Sequence, residues 1–565
     1  MAKNWSNVTV VSAVPSQLPF LISSPPLKSP TTSWSSSLSL STPRSRITSS
    51  KHRSAVSKPG SLTAAMFVSS RLSTKSKRYA SLDDDSGISS SLSGEGSEDS
   101  VDWIAAIFPF LFPAIGGALF GYDIGATSGA LISLTSPELS GTAWYSLTPF
   151  QTGIVVSGSL YGALIGSILA FKISDGLGRR KELLVAAALY ILGSVGTYFA
   201  NSLNLLLVGR LIYGLGIGLA MHGAPLYIAE TSPPQIRGTL VSLKEAFIVL
   251  GILLGYLVGN AEIGAVGGWR FMYGFAAPVA VIMGLGMGWL PPSPRWLLLR
   301  AVQGKETLQA AKRHATQALS RLRNGRISSD ILEEQVERSL ESIQSSNVKE
   351  EPTFSEVFEG SSLKALKVGA GLVFFQQVTG QPSVLYYAAS ILQSAGFSAA
   401  ADATRVSIVI GVFKLLLTGV AILKVDDLGR RPLLIGGVGG IVLSLFLLAG
   451  YYSIGQGYPV LAVISLLLYV SCYQISFGPI SWLMVSEIFP LRTRGRALSI
   501  AVLVNFASNA LVTLLFAPIQ NFLGASMTFV TFGVIGVISL LFIMSSVPET
   551  KGLTLEEIEA KISKV

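Results

Sequence analysis

Long stretches without a charged residue alternate with short charged segments along most of this chain. The charge-free runs are 139–171, 183–209, 271–294, 368–401, 432–486 and 497–548. A helix that crosses the hydrocarbon core of a bilayer needs about 20 apolar residues, and most of these runs are at least that long. The last two are long enough for two crossings each, with breaks at 455–459 and 518–524. The pattern therefore predicts a chain that crosses a membrane many times.

Twelve spans are predicted, in two groups of six on either side of a charged segment. Their ranges are 104–132, 149–172, 183–200, 203–223, 239–260, 270–290, 367–393, 404–424, 433–452, 460–483, 497–516 and 527–547. The predicted class is an all-α membrane protein with two six-helix halves and a central intracellular helical segment. The expected divisions are a polar segment at 81–102, a bundle at 103–296, the central helical loop at 297–365, a second bundle at 366–547 and a tail at 548–565.

The composition supports the same class. Charged residues make up 13% of the chain and the mean hydropathy is +0.55, whereas ordinary soluble domains carry about 25% charged residues. Cys472 is the only cysteine, so no disulfide can form within the chain, and a small residue inside a span is its simplest interpretation. No nucleophile–base set, phosphate loop or metal-ligand spacing stands out, so we expect neither an enzyme nor a metal site.

The first hundred residues have a different composition, rich in serine with recurring prolines. Residues 1–82 contain eleven lysines or arginines and no acidic residue, which accounts for the whole formal net charge of +10. The charge is therefore no argument for a nucleic-acid partner. This leader predicts a plastid transit peptide at 1–80. The alternative is a disordered cytosolic tail on a protein of the vacuolar or plasma membrane.

Two short charged motifs occur twice in the membrane part. DGLGRRK at 175–181 returns as DDLGRRP at 426–432, and ETSPPQIRG at 230–238 returns as EIFPLRTRG at 487–495. Such repeats imply a duplicated six-span unit, an organisation typical of transporters whose substrate site lies between the halves near the bilayer midplane. By the positive-inside rule the basic residues of these motifs mark one common side of the membrane, called the basic side below.

One carboxylate stands in the middle of the first predicted span. Asp123 is the only charged residue among residues 103–137. A charge at the bilayer centre costs about 2.5–3.5 kcal/mol on insertion scales, so its presence needs a reason. Either a neighbouring helix satisfies the carboxylate as part of the structure, or the residue binds and releases a proton as a nearby cation leaves and returns.

Taken together, these motifs resemble the sugar porter branch of the major facilitator superfamily. The resemblance rests on LGRR in both halves, YIAE at 227–230, IRG at 236–238, FQQ at 375–377, GPISWLMVSEIFP at 478–490 and PETKG at 548–552, and it extends over about residues 101–557. Within the branch the chain is similar to the plant plastidic D-xylose–proton symporter-like group. The resemblance implies the major facilitator fold and alternating access, in which two bundles rock about a central sugar site.

The resemblance also implies roles for particular residues. Proton-coupled members carry aspartate where many uniporters carry asparagine, so Asp123 would be the proton site, with Arg210 as its partner. The alternative for Arg210 is a span-end anchor whose guanidinium reaches the interface. The implied sugar-binding residues are Gln376, Gln377, the gating tyrosine Tyr387, Gly478 and Trp482, with Phe120 as an added wall and Asn505 in the place of a glutamine.

Several positions depart from the family's pattern. Glu245 and Lys414 replace a neutral glutamine and asparagine, Pro382 replaces an asparagine and Phe506 a tryptophan. Glu245 and Lys414 have opposite charge and lie in different halves, so one hypothesis is an ion pair across the central cavity. The alternatives are a second proton site at Glu245 beside Lys414, and a Lys414 ammonium that snorkels to a span end. The altered site leaves the identity of the sugar open.

A charge network at the basic-side ends of the spans is also implied. Its residues are Arg179, Arg180, Glu230, Arg237, Arg430, Arg431, Glu487 and Arg494. Oppositely charged span ends can latch the two bundles while the cavity opens to the other side, and partly solvated pairs of about 0–1 kcal/mol suit a latch that must open. Helix capping and membrane topology are the simpler interpretation, and both can apply.

The expected function is monosaccharide transport by alternating access, as proton-coupled symport of a hexose or pentose. The alternatives are a facilitative uniporter or exporter in which Asp123 is structural, and a sugar sensor that does not transport. We expect no cofactor besides the proton as coupling ion. The expected partners are a small-molecule sugar and the lipid bilayer, and the expected form is a monomer in the plastid envelope.

Overall fold

The computed structural model describes residues 103–564 except 234–235, 324–327, 346–353, 398, 455–457, 491–492 and 554. The predicted transit peptide at 1–80 and the polar segment at 81–102 lie outside these residues. Within the described ranges the ordered elements are all helices, and none is a strand. This agrees with the all-α class that the charge-free runs predict.

The helices of the first half follow the predicted spans closely. They are α1 Trp103–Thr135, α2 Pro149–Leu177, α3 Arg179–Tyr198, α4 Leu203–Thr231, α5 Arg237–Glu262, α6 Gly268–Gly274 and α7 Ala276–Trp289. The start of α2 shows why the boundary falls where it does. The Thr148 hydroxyl accepts from the backbone N–H of Gln151, and the Gln151 side-chain oxygen accepts from the backbone N–H of Thr148. This capping box satisfies two backbone donors at the helix start.

Short helices join the halves. They are α8 Pro294–Val302, α9 Leu308–Leu322, α10 Ser329–Ser345 and a 3-10 helix at Phe354–Phe358. Trp296, Leu298, Ala315 and Leu340 belong to a separate apolar cluster that these helices share. This segment thus has a small apolar core of its own.

The second half contains more interruptions than the first. Its helices are α11 Gly360–Val378, α12 Gln381–Tyr386, α13 Ala388–Ser394, α14 Ala400–Leu428, α15 Arg430–Ile454, α16 Pro459–Ile475, α17 Phe477–Ile488, α18 Arg494–Ser546 and α19 Leu555–Lys564. The predicted seventh span is α11 to α13, which turns at Gly380 with φ of 94°. Only glycine adopts such a φ without strain. Gly524 interrupts α18 with φ of 78°, between the predicted eleventh and twelfth spans.

Nine helical segments in the described part of the chain are long and apolar enough to cross a membrane. One of them is α18, which holds two predicted spans because Gly524 divides it. The predicted third and seventh spans also lie on helices, α3 with four charged residues at its start and α11 to α13 with two interruptions. A helical segment therefore stands at each of the twelve predicted spans.

The two halves meet at the side opposite the basic motifs. The Tyr256 hydroxyl on α5 donates to the Leu385 carbonyl on α12 at 2.9 Å, and the Ala389 amide on α13 donates to Ser128 Oγ on α1 at 3.0 Å. At Gly153 the start of α2 lies so close to α18 that an added Cβ would overlap a backbone carbonyl. These contacts close the molecule on the side away from the basic motifs.

Candidate functional site

The predicted proton site and its predicted partner are in direct contact. Asp123 on α1 is 3% exposed and Arg210 on α4 is 1% exposed. Arg210 Nη1 donates to Asp123 Oδ1 at 2.6 Å, and Nη2 donates to Oδ2 at 3.3 Å. Two guanidinium nitrogens facing two carboxylate oxygens form a bidentate pair, which is geometrically specific. Arg210 is thus an interior residue, and its interpretation as a span-end anchor is wrong.

Two backbone carbonyls of α2 also accept hydrogen bonds from Arg210. Nε donates to the Val155 carbonyl at 2.8 Å and Nη2 to the Val156 carbonyl at 3.0 Å. The guanidinium also lies 4.8 Å from the centre of the Tyr273 ring. A buried ion pair is tolerated only when further hydrogen bonds satisfy its remaining polar atoms, and here α2 supplies them.

Ser159 on α2 links both members of the pair. Its Oγ donates to Asp123 Oδ2 at 2.6 Å and accepts from Arg210 Nη2 at 3.0 Å. Sequence reasoning missed this residue, because a serine in an apolar span has no distinguishing pattern. Ser157, two residues earlier, merely donates to the Gly153 carbonyl of its own helix. The two serines have different partners only because of the way α1, α2 and α4 pack together.

A small cavity adjoins the pair. It measures about 10 Å³ and is lined by Tyr122, Asp123, Thr197, Arg210, Tyr213, Tyr273 and Ala276. This is space for about one water molecule. The Tyr213 hydroxyl turns away from the pair to the Leu119 carbonyl at 2.8 Å, so the wall is largely aromatic carbon. In surroundings of this kind an ion pair is stronger than in water, and a change of protonation has a larger effect.

The two predicted sugar-binding glutamines share an unusual feature. Gln376 Nε2 donates to the Phe477 carbonyl at 2.9 Å, and Gln377 Nε2 donates to Asn505 Oδ1 at 2.7 Å. The Oε1 atoms of both glutamines are buried and have no hydrogen-bond partner in the described structure. Leaving a buried acceptor unsatisfied costs about 1–3 kcal/mol, and a ligand hydroxyl would relieve that cost.

Three other predicted sugar-site residues lie on α17 and α1. Gly478 and Trp482 lie on α17, where Trp482 is partly buried against the main apolar cluster. Phe120 on α1 packs against Phe506 on α18 with ring centroids 6.2 Å apart. This aromatic contact crosses from one half to the other, so the wall predicted at Phe120 lies at the interface between the halves.

Tyr386, the last residue of α12, and Tyr387, which follows it, have side chains in different surroundings. The Tyr387 hydroxyl donates to the Thr513 carbonyl at 3.1 Å, and its ring packs on Phe516 with centroids 4.7 Å apart. Tyr386 instead is fully buried within electrostatic range of Asp123 and Arg210. Sequence reasoning selected Tyr387 and missed Tyr386, since two adjacent tyrosines cannot be told apart before the helix orientation is known.

The hypothesised ion pair between Glu245 and Lys414 is not formed. Lys414 Nζ donates to Gln474 Oε1 at 2.6 Å and lies 5.2 Å from the centre of the Tyr473 ring. Glu245 Oε1 is 3.2 Å from Lys244 Nζ, and 43% of the Glu245 side chain is exposed. Each of the two side chains has a partner within its own half. Their opposite charge suggested a pair, but it does not determine the distance between them. Lys414 is 5% exposed, so its ammonium does not snorkel to a span end.

Two charge pairs among the described residues at the basic side each join helices of the same half. Arg179 Nε on α3 is 3.2 Å from Glu230 Oε1 on α4, and Arg430 Nη2 on α15 is 3.1 Å from Glu487 Oε1 on α17. The Thr550 hydroxyl donates to the other Glu487 oxygen at 2.6 Å. The two pairs occupy equivalent places in the repeat, as the duplicated motifs predict.

The other predicted gate arginines hold helix ends. Arg180 Nε donates to the Met287 carbonyl at 3.1 Å, Arg431 Nη2 to the Met544 carbonyl at 2.6 Å and Arg494 Nε to the Phe489 carbonyl at 3.2 Å. Arg237 is the first residue of α5, and its side chain lies outside the described part. The capping interpretation thus accounts for these contacts, and the latch between the halves stays a prediction.

Glu549 in the PETKG motif caps α15 at the basic side. Its carboxylate accepts from the backbone amides of Arg430 at 3.1 Å, Arg431 at 2.9 Å, Thr550 at 3.0 Å and Lys551 at 2.9 Å. Partial burial raises the pKa of Glu549, but these amide donors outweigh it and hold the pKa below the ordinary value. The motif therefore fastens the tail to the start of the ninth predicted span.

No group of three histidine, cysteine, aspartate or glutamate residues in the described ranges could hold a metal ion. The polar groups described above include amides, hydroxyls, the Asp123–Arg210 ion pair and the Lys414 ammonium. Amides and hydroxyls are the donors and acceptors that a neutral ring of hydroxyls requires.

Comparison with known proteins places this arrangement in context. The family model described as Sugar (and other) transporter matches residues 110–562. D-xylose-proton symporter-like 3, chloroplastic, of Arabidopsis thaliana is 65% identical over 483 residues, which is 85% of this chain and 86% of that protein. D-xylose-proton symporter-like 2 of the same plant is 61% identical over 458 residues, 81% of this chain and 91% of that one. A solved structure of the xylose transporter XylE from E. coli, partially occluded and inward open, is similar with a TM-score of 0.67 at 29% identity, covering 80% of this chain and 100% of that one.

Proposed function

Since this chain belongs to the sugar (and other) transporter family, we propose that it carries a monosaccharide across a membrane by proton-coupled alternating access. The observation that carries the proposal is the buried bidentate pair of Asp123 and Arg210. Two relatives that align with most of the chain are named as D-xylose-proton symporter-like proteins, which supports a hexose or pentose as the sugar.

The cycle follows from the charges. Asp123 takes a proton from the acidic side, and a neutral carboxyl no longer holds the Arg210 guanidinium. The two halves then change their contact, and the proton leaves on the other side as the ion pair forms again. A proton and a sugar that both bind one state better than the other shift the same equilibrium, which couples their movement.

The sugar would bind where amide acceptors stand open. Hydroxyl groups would donate to Gln376 Oε1 and Gln377 Oε1, which lack a partner in the described structure. The partly buried Trp482 would offer an indole face to the apolar side of the ring. The amide nitrogens of the two glutamines are already held by Phe477 and Asn505, so their oxygens keep a fixed direction.

Uptake into liposomes tests the proposal. The full chain is reconstituted, and labelled pentoses and hexoses are offered with and without an imposed pH gradient. We expect accumulation above equilibrium in the wild type and exchange without accumulation in Asp123→Asn. Asp402→Asn, which removes a carboxylate of an exposed pair with Arg405, is the control. If wild type and Asp123→Asn both merely equilibrate a sugar, the protein is a uniporter and Asp123 is structural.

The membrane that we propose is the plastid envelope. Its support is the basic, serine-rich leader and the chloroplastic relative, whose matched region is 65% identical. Incubation of the radiolabelled full chain with isolated chloroplasts tests it. We expect a shortened product that resists external protease. An unshortened chain left outside the organelle would instead favour the vacuolar or plasma membrane.

We further propose that the transporter works as a monomer and needs no cofactor other than the proton. Light scattering of the detergent-solubilised chain, corrected for bound detergent, measures its mass. A value near 59.7 kDa agrees with a monomer of the full chain, and twice that value contradicts it.

A further inference from the structure

Tyr386 belongs to the sugar-binding segment and also interacts electrostatically with the proton site. It ends α12, in the second half, yet its side chain lies within electrostatic range of Asp123 and Arg210 in the first half. The residue is 0% exposed, and its hydroxyl has no hydrogen-bond partner in the described structure. That hydroxyl lies within interaction range of the Ser159 side chain, but the two form no hydrogen bond in the described structure. A buried hydroxyl without a partner is costly, so a second arrangement that satisfies it is expected.

The same segment carries a sugar-binding glutamine. Gln376 precedes Tyr386 by ten residues, on α11, and the turn between α11 and α12 passes through Gly380 with its φ of 94°. A second interruption follows at Tyr387, between α12 and α13. The short helix α12 is thus bounded by two breaks, which are places where a segment can change direction.

Among the described residues, one hydrogen bond to the backbone of α12 joins it to the first half. The Tyr256 hydroxyl on α5 donates to the Leu385 carbonyl. The Tyr386 side chain adds burial there and no hydrogen bond. Any new bond to Tyr386 would therefore strengthen the attachment of α12 to the half that carries Asp123.

Ser159 has one proton to donate, and in this structure Asp123 receives it. Its Oγ–H donates to Asp123 Oδ2 at 2.6 Å. When Asp123 binds a proton, the carboxyl becomes a donor itself, and Ser159 can accept from it. The Ser159 proton is then available to the next oxygen, that of Tyr386. The hydroxyl of Tyr386 therefore changes from unsatisfied to bonded when the carboxylate is neutralised.

We propose that Tyr386 is the positioning residue that couples proton binding at Asp123 to the conformation of the sugar-binding segment, through the hydroxyl of Ser159. This inference rests on the proposed proton-coupled transport. With Asp123 ionised, α12 lacks the side-chain bond to the first half and moves more readily about its two breaks. With Asp123 protonated, Ser159 holds Tyr386 and keeps α12 closed over a bound sugar.

Removing only the hydroxyl tests the inference. Tyr386→Phe in the full chain is compared with wild type in proteoliposomes, using the sugar that wild type transports best. The first readout is the pH dependence of KM, and the second is accumulation driven by a pH gradient. Sugar counterflow at equal pH on both sides reports whether the variant is folded and binds sugar. Tyr452→Phe is the matched control, because its partly buried hydroxyl donates to the Ile391 carbonyl of α13, within the second half.

The expected result separates coupling from folding. Counterflow persists in Tyr386→Phe. The decrease of KM on acidification becomes about fivefold smaller than in wild type, which corresponds to the loss of one neutral hydrogen bond. Accumulation drops toward simple equilibrium. Ser159→Ala, which breaks the same connection from the other half, shows the same loss of pH dependence, and Tyr452→Phe keeps the wild-type profile.

Two outcomes would overturn the inference. One is a Tyr386→Phe protein that accumulates sugar with the pH profile of wild type. The other is an equal loss of coupling in Tyr452→Phe, which would indicate a general effect of loosening this segment. Failure of the proposed function itself looks different, because wild type would then show no accumulation under a pH gradient. That result removes the coupling on which the role of Tyr386 depends.

Discussion

The two polar sites at the centre of the molecule differ in how far the protein itself satisfies them. In the first half Arg210 makes five hydrogen bonds, to Asp123, Ser159 and two carbonyls of α2. In the second half Gln376 and Gln377 each leave a buried oxygen without a partner. A fully hydrogen-bonded network, the closed network below, responds when one of its members loses a partner. Acceptors without a partner, the open acceptors below, can instead bind a ligand that donates to them. The difference explains how one molecule can hold a proton-sensitive lock beside a site for a neutral solute.

The largest expected effect comes from breaking the closed network on one side only. Arg210→Gln leaves the Asp123 carboxylate buried without a cation, and we expect a loss of about 3–5 kcal/mol of stability. Asp123→Asn combined with Arg210→Gln restores much of that stability, because neither charge is then left alone. Thermal and chemical unfolding of the detergent-solubilised full chain measures both.

Arg270→Gln is the control for removal of an arginine. Arg270 is partly exposed, donates to the Ala200 carbonyl at 2.6 Å and stacks on Trp269. We expect a much smaller loss there. Equal stability of Arg210→Gln and Arg270→Gln would contradict the closed network, and a double variant less stable than Arg210→Gln would do so as well.

The second-largest expected effect concerns the hydrogen bond of the buried Lys414 ammonium. Lys414 bonds Gln474 at 2.6 Å, while Glu245 bonds its neighbour Lys244. A double-mutant cycle of Lys414→Met and Gln474→Leu should show a coupling of about 1.5–3 kcal/mol, as for a hydrogen bond to a charged group. Lys414→Met and Glu245→Gln should show a weaker coupling in the same unfolding measurement, because Glu245 lies within electrostatic range of Lys414 without bonding it. A strong coupling in the second cycle and none in the first would restore the cross-cavity pair.

What the sequence predicts, and what it misses, follows from how each feature is encoded. Charge-free runs locate the twelve spans because the cost of burying charge acts on every residue of a span. The family resemblance pairs Asp123 with Arg210, and the structure places Asp123 Oδ1 2.6 Å from Arg210 Nη1. Ser159, Tyr386 and Gln474 escaped notice because a single hydroxyl or amide in an apolar helix has no periodic signature. Their partners come from three-dimensional packing, which a pattern along one chain does not specify.

A third effect tests the open acceptors directly. Gln376→Leu removes an amide oxygen that waits for a donor and an amide nitrogen that bonds the Phe477 carbonyl. We expect KM for the transported sugar to rise about fivefold, since about 1 kcal/mol of hydrogen bonding is lost. The maximal rate should change less. Gln151→Leu, which alters only the cap of α2, is the control and should leave KM unchanged. An unchanged KM in Gln376→Leu would remove this glutamine from the sugar site.

The smallest expected effect lies at the basic-side end of α15, far from both central sites. The amides of Arg430, Arg431, Thr550 and Lys551 keep the pKa of Glu549 below its ordinary value of 4.5 despite partial burial. A carboxyl whose pKa is lower in the folded protein stabilises it above the unfolded pKa, and this stabilisation disappears as the pH falls through the folded pKa. Glu549→Gln should therefore lower the melting temperature by a few degrees at pH 7, because a neutral amide holds the helix start less strongly. Below the folded pKa the carboxyl is neutral too, so the melting temperatures of variant and wild type should converge on acidification. A difference that stays constant from pH 7 into the acid range would mean that Glu549 acts through its shape and not through its charge.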